Sequence, residues 1–219
     1  MNRQDGRLYL SERFTEAVEY ARQLHTEFRK GTEIPYMAHL VGVAALVMGE
    51  AGGKVPVTED MVIAALLHDT VEDHGGEPRL REIERRFGTE VARMVAGLSD
   101  SFAEDHRQKK DVKERRQAYI ERLRSEPDDV LLISAADKLY NAKATLEDFR
   151  QIGYAVFTRF KGGQQEQLRY FEALLTVFQS RGTNRLVNEL AHVVQELRAS
   201  IAPTPCDGHD HPPDLGAVS

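Results

Sequence analysis

Two apolar runs end on groups that do not belong in a core. Residues 61–67 read MVIAALL and meet His68-Asp69; residues 130–136 read VLLISAA and meet Asp137. A carboxylate set into apolar sequence is costly unless it is paired, hydrogen-bonded or bound to a metal. Two such interruptions, one carrying a histidine, suggest a shared cation. Glu72 lies four residues after His68 and three after Asp69, and Asp73 lies four after Asp69, so on a helix they fall on one side. Three carboxylates and an imidazole within about two turns would repel one another, and a divalent ion removes that conflict. Asn141, one turn beyond Asp137, points toward the same space, and His39 supplies a second imidazole.

The elements that must position these groups read as helices. Ser11 caps the first, with Phe14, Ala17, Val18, Ala21, Leu24 and Phe28 as its inward stripe, and Arg29-Lys30-Gly31 stops it. Pro35 opens a second helix through His39, Val43, Leu46 and Val47. Thr58 caps a third that carries His68-Asp69 and Glu72-Asp73 and closes at His74-Gly75-Gly76. A short helix over 80–87, another capped by Thr89 and a highly charged one over 109–124 follow. A long helix from Pro127-Asp128 to about Phe149 carries Asp137 and Asn141. Two more follow Gly163 and Gly182, the last with Leu186, Leu190, Val193, Val194, Leu197 and Ile201 inward.

Sustained period-2 alternation and a glycine-rich strand-to-helix phosphate loop are both missing, which argues against P-loop and dinucleotide-binding α/β folds. The expectation is an all-α, compact helical bundle over residues 11–201, with an N-terminal extension at 1–10 and a disordered proline- and glycine-rich tail at 202–219.

The chain has 219 residues, a formal net charge of -6 and one cysteine, Cys206. An acidic chain is a poor nucleic-acid or membrane binder, the lone cysteine permits no internal disulfide, and residues 1–10 lack a signal-peptide core. A cytoplasmic protein fits, with homo-oligomerisation left open. Several residues read more plainly: His25 as a packing residue of the first helix, 109–116 as a solvated face, Cys206, His209 and His211 as tail. His74, just past the carboxylates, is a lesser functional candidate.

His39, His68-Asp69 and the distant Asp137 resemble the His…His-Asp…Asp signature of HD-superfamily phosphohydrolases. The words PYMAH at 35–39, AALLHDTVED at 64–73 and ADKLYN at 136–141 resemble the hydrolase domain of the RelA/SpoT family, small single-domain members above all. The resemblance covers roughly residues 11–180. It implies that His39, His68, Asp69 and Asp137 bind one metal, typically Mn²⁺, and that Glu72 and Asp73 are the catalytic acidic pair. It implies contacts to a nucleotide substrate from Arg29, Lys30, Asn141, Tyr170 and Lys109. The implied reaction removes the 3′-pyrophosphate of (p)ppGpp, without synthetase activity. Related readings are hydrolysis of adenosine alarmones, NADPH or another nucleotide, or silent nucleotide binding. The chain departs from the family pattern at Ala144, where threonine or aspartate is common, and at Glu166, where metazoan members carry arginine.

Overall fold

The computed structural model describes residues 7–103 and 111–201. Among them there is no strand, only an isolated bridge between Phe28 and Pro35, so the fold is all-α as expected. The helices are α1 (Glu12–Leu24), α2 (Met37–Met48), α3 (Glu59–Leu67), α4 (Thr70–Asp73), α5 (Gly76–Phe87), α6 (Thr89–Leu98), α7 (Val112–Leu123) and α8 (Asp128–Ile152). After a 3₁₀ segment (Gly153–Arg159) come α9 (Gly163–Arg181) and α10 (Arg185–Ile201). None of these is long and apolar enough to cross a membrane. The expected extension lies partly, and the expected tail wholly, outside the described residues, as does Lys109.

Local chemistry sets the helix starts. Ser11 Oγ accepts the Arg13 N–H, Thr58 Oγ1 accepts the Met61 N–H and the Asp111 carboxylate accepts the Lys113 N–H, each satisfying a backbone donor that the first turn leaves open. The Ser11 hydroxyl also donates to Glu59 Oε1 at 2.8 Å, tying the start of α1 to that of α3.

The centre is built from α3 and α8. Residues 61–67 are all buried, and α3 is apolar all round because α1, α2, α6 and α8 surround it. On α8, residues 130–137 are buried without interruption. The two runs that end in charge in the sequence thus deliver His68-Asp69 and Asp137 to one interior. α8 and α10 lie side by side and run the same way. Lys143 pairs with Glu189 and, seven residues along both helices, Arg150 pairs with Glu196.

Two helix boundaries and the environment of a third helix differ from the sequence reading. α1 stops at Leu24 and leaves Phe28 exposed, because residues 28–36 turn back on themselves through Arg29 N–H to Ile34 O and Tyr36 N–H to Glu27 O. The third helix breaks at His68-Asp69 into α3 and α4. The charged helix α7 is not a solvated face: Tyr119, Ile120 and Leu123 are buried, and Arg115 turns inward.

Candidate metal centre and active site

His39 projects from the first turn of α2, His68-Asp69 from the break between α3 and α4, and Asp137 from the middle of α8. Their donor atoms converge. His39 Nε2 and His68 Nε2 stand 3.2 Å apart. Asp69 Oδ2 lies 3.3 Å from the first and 3.0 Å from the second, and Asp137 Oδ1 lies 3.3 and 3.7 Å from them. Metal–ligand bonds of about 2.0–2.2 Å place neighbouring donors roughly 3.0–3.5 Å apart, so the spacing fits a common cation. His68 Nδ1 is 2.8 Å from Ala65 O. A carbonyl only accepts, so Nδ1 carries the proton and the neutral ring presents its Nε2 lone pair to the site, the arrangement of a ligating histidine.

Each carboxylate is held from behind. Tyr36 OH donates to Asp69 Oδ2 at 2.6 Å. Lys138 Nζ donates to Asp137 Oδ2 and Asn141 Nδ2 to Asp137 Oδ1, both at 2.6 Å. Burial alone would raise the Asp137 carboxyl, but Lys138 and the two imidazoles hold it well below the usual carboxylate range. Burial opposes ionisation of Asp69 too, and His68 and His39 overcome it. Without an ion, those same two carboxylates outweigh burial and push the His68 imidazole well above its ordinary value. Burial, with Asp69 adding to it, keeps the Tyr36 phenol protonated and therefore a donor.

Glu72 faces a small cavity of about 40 Å³ that it shares with His68, Asp69, Asp100, Tyr119, Asp137, Lys138 and Tyr170. Arg115 of α7 donates to Glu72 Oε1 at 2.9 Å and also pairs with Asp100. Asp73, one residue on and half-buried, is not part of that lining. Arg29 Nη2 donates to Asn141 Oδ1 at 2.9 Å, linking it through the amide to Asp137, while Arg29 Nη1 is buried without a partner among the described residues. Lys30 is exposed. Tyr170 separates the small cavity from a larger cleft of about 480 Å³ edged by Lys113, Arg116, Lys161, Glu166 and Arg169, with the Arg116 guanidinium over its ring at 4.3 Å.

The structure thus brings together His39, His68, Asp69, Asp137, Glu72, Asn141, Arg29 and Tyr170, while Lys30 is exposed and Asp73 lies outside the cavity lining. Sequence reasoning missed Tyr36, Lys138 and Arg115. The first two stand inside the PYMAH and ADKLYN words, where a signal existed; Arg115 had none within its charged stretch.

The sequence pattern of the HD domain matches residues 17–161, a span that contains all four converging donors. The chain belongs to the HD domain family. Among its relatives is the human guanosine-3′,5′-bis(diphosphate) 3′-pyrophosphohydrolase MESH1, 34% identical over 193 residues, covering 85% of this chain and 95% of that protein. The corresponding Aquifex aeolicus enzyme is 34% identical over 143 residues, 64% of this chain but 19% of its own. A solved structure described as a metazoan ortholog of SpoT that hydrolyzes ppGpp superposes with a TM-score of 0.67 at 28% identity, covering 86% of this chain and 97% of that one. HD hydrolases are metal-dependent, and in this HD chain His39, His68 and Asp69 form a group that could hold a metal ion.

Proposed function

We propose that this HD protein is a manganese-dependent 3′-pyrophosphohydrolase of guanosine alarmones, converting ppGpp or pppGpp to GDP or GTP plus pyrophosphate. The observation that carries the reading is the convergence of His39 Nε2, His68 Nε2, Asp69 Oδ2 and Asp137 Oδ1 within 3.0–3.7 Å of their neighbours. Those four would hold the ion, and two imidazole nitrogens with two carboxylate oxygens suit a moderately hard cation such as Mn²⁺. When bound, the ion supplies Lewis acidity toward a phosphoryl oxygen and lowers the pKa of a water.

The chain's own groups supply the rest. Glu72, on the cavity wall, takes the proton of the attacking water, and Arg115 fixes its direction. Asp73 is assigned to the acid side, delivering a proton to the leaving oxygen. Arg29, aimed by Asn141 and with Nη1 buried and unpartnered among the described residues, donates to a phosphate oxygen in a charge-assisted hydrogen bond; Lys30 adds positive charge beside it. Tyr170 walls the nucleotide between the small cavity and the larger cleft, whose Lys113, Arg116, Lys161 and Arg169 favour a polyanion. The sequence resemblance assigns Lys109 a contact to substrate phosphate. We place the whole unit within residues 11–201, and the protein in the cytoplasm, a reading supported by its single cysteine.

The test is product analysis. Mn²⁺-loaded protein is incubated separately with ppGpp, ppApp and NADPH. Pyrophosphate and GDP from ppGpp, lost on chelation, is the expected result. Turnover of NADPH to orthophosphate with ppGpp untouched would overturn the assignment.

A further inference from the structure

A second set of potential ligands lies outside the centre described above. His25 Nδ1 is 2.9 Å from Glu27 Oε1 and 3.2 Å from His74 Nε2, and the last two atoms are 3.5 Å apart. These separations of 2.9–3.5 Å overlap the 3.0–3.7 Å of the first centre. Backbone structure fixes both rings: His25 caps the C-terminus of α1 with its N–H on Ala21 O, and His74 caps α4 with its N–H on Thr70 O. Their rings meet edge to face with centroids 4.3 Å apart. The His25 side chain is fully buried, while Glu27 and His74 are 41% and 24% exposed, so the cluster is closed behind and open to solvent in front.

On the other side of the ring stands a hydroxyl, which can donate or accept and so suits either His25 tautomer. His25 Nε2 lies 3.3 Å from the buried Thr70 Oγ1. With Nε2–H donating to that hydroxyl, Nδ1 turns its lone pair toward Glu27 and His74. Two imidazole nitrogens and a carboxylate oxygen then crowd three electron-rich atoms together. A single proton relieves one of the three contacts, whereas a cation at the centre relieves them all. We propose that His25, Glu27 and His74 form a second divalent-cation site of the zinc class, with two imidazole nitrogens, one carboxylate oxygen and an open position toward solvent.

The two centres share a wall and no ligand. Tyr36 stacks on His25, with centroids 5.2 Å apart and planes 9° from parallel, and its hydroxyl donates to Asp69. Thr70, behind His25, is the first residue of α4, the helix that bears Glu72 and Asp73. An ion at this site would clamp the end of α1 to the end of α4, making it a structural centre that stiffens the catalytic turn.

Metal counting on the full chain tests this. Apo-protein is dialysed against Zn²⁺, and separately Co²⁺, and ions per chain are measured by elemental analysis. Wild type should hold two, His74→Ala and Glu27→Gln one each, and Asp137→Ala one. Circular dichroism checks each fold, and the partly exposed His74 and Glu27 avoid disturbing the core. In the Co²⁺ form, His74→Ala should remove one set of visible bands that Asp137→Ala leaves in place. A single ion in wild type, or two ions of unchanged affinity in His74→Ala, would overturn the proposal.

Discussion

Gly42 lies in the interior of α2, where alanine would ordinarily be the more stable residue by about 1 kcal/mol. Here the sign should reverse. A β-carbon on Gly42 would stand 2.1 Å from Tyr140 Cε2, 2.6 Å from Cδ2 and 3.0 Å from Cζ. Ordinary carbon contacts are about 3.5–4.0 Å, so the ring has to retreat by roughly 1–2 Å. It is held on two sides, edge to face against His39 at 5.1 Å and under the Arg29 guanidinium at 5.2 Å. Overpacking costs about 1–3 kcal/mol, and so deep an overlap belongs in the upper part of that range. After subtracting the helix gain, Gly42→Ala should lose about 1–2 kcal/mol, or roughly 2–4 °C of Tm per kcal/mol for a chain of this size. The displaced ring also disturbs His39, and a misplacement of about 1 Å at a reacting centre costs on the order of 10²-fold in rate. Urea unfolding of the metal-free protein gives the first quantity, Mn²⁺ titration and kcat the second. A Gly42→Ala protein that unfolds at or above the wild-type midpoint would show that Tyr140 has room, and the argument for this glycine fails.

Asp137→Ala should abolish Mn²⁺ binding at the first centre and reduce hydrolysis to background, while chelation of wild type should do the same reversibly; full activity in either case would refute the ligand assignment. Arg115→Ala removes a charge-assisted hydrogen bond to Glu72 worth about 1.5–3 kcal/mol, so kcat should fall roughly 10–100-fold with KM little changed and Arg115→Lys recovering part; an effect confined to KM would count against the positioning role. In the metal-free protein, Asp69 and Asp137 titrate below their unfolded value near 3.9, and the stability they contribute is present above that pH and is lost as pH falls through the lowered values. His68 titrates above its unfolded value near 6.5, so its contribution is present below that pH and is lost as pH rises through the raised value. The urea midpoint should therefore decline on both flanks, and saturating Mn²⁺ should remove the alkaline decline by taking the place of the imidazolium proton; an alkaline flank unchanged by Mn²⁺ would contradict the centre.

The sequence exposes what is locally expensive. A charge ending an apolar run is visible in one dimension, so His68-Asp69, Asp137 and the two helices carrying them could be read directly. So could the starts capped by Ser11 and Thr58, because capping involves neighbours within a turn. Contacts between distant segments could not. Arg115 sits in a stretch whose periodicity says only that it is charged, and its two carboxylate partners arrive from α4 and the segment after α6. His25 and His74 are 49 residues apart, and the first reads as a packing residue of α1 and the second as a loop residue after the carboxylates until the fold brings them together. The early stop of α1 was hidden because Phe28 continues the helical stripe; backbone pairing with 34–36 settles it.

The matched pairs across α8 and α10 bear on alignment more than on strength. Exposed ion pairs contribute about 0–1 kcal/mol each, so Leu186, Leu190, Val193, Val194, Leu197 and Ile201 do most of the holding. A leucine- and valine-rich seam, however, tolerates sliding by a heptad, about 10 Å along the axis. In such a slip Lys143 would meet Glu196, leaving Arg150 with only Glu147 of its own helix and Glu189 without its α8 partner. The two pairs work as a vernier, selecting one seating of the last helix from the several that grease alone would accept.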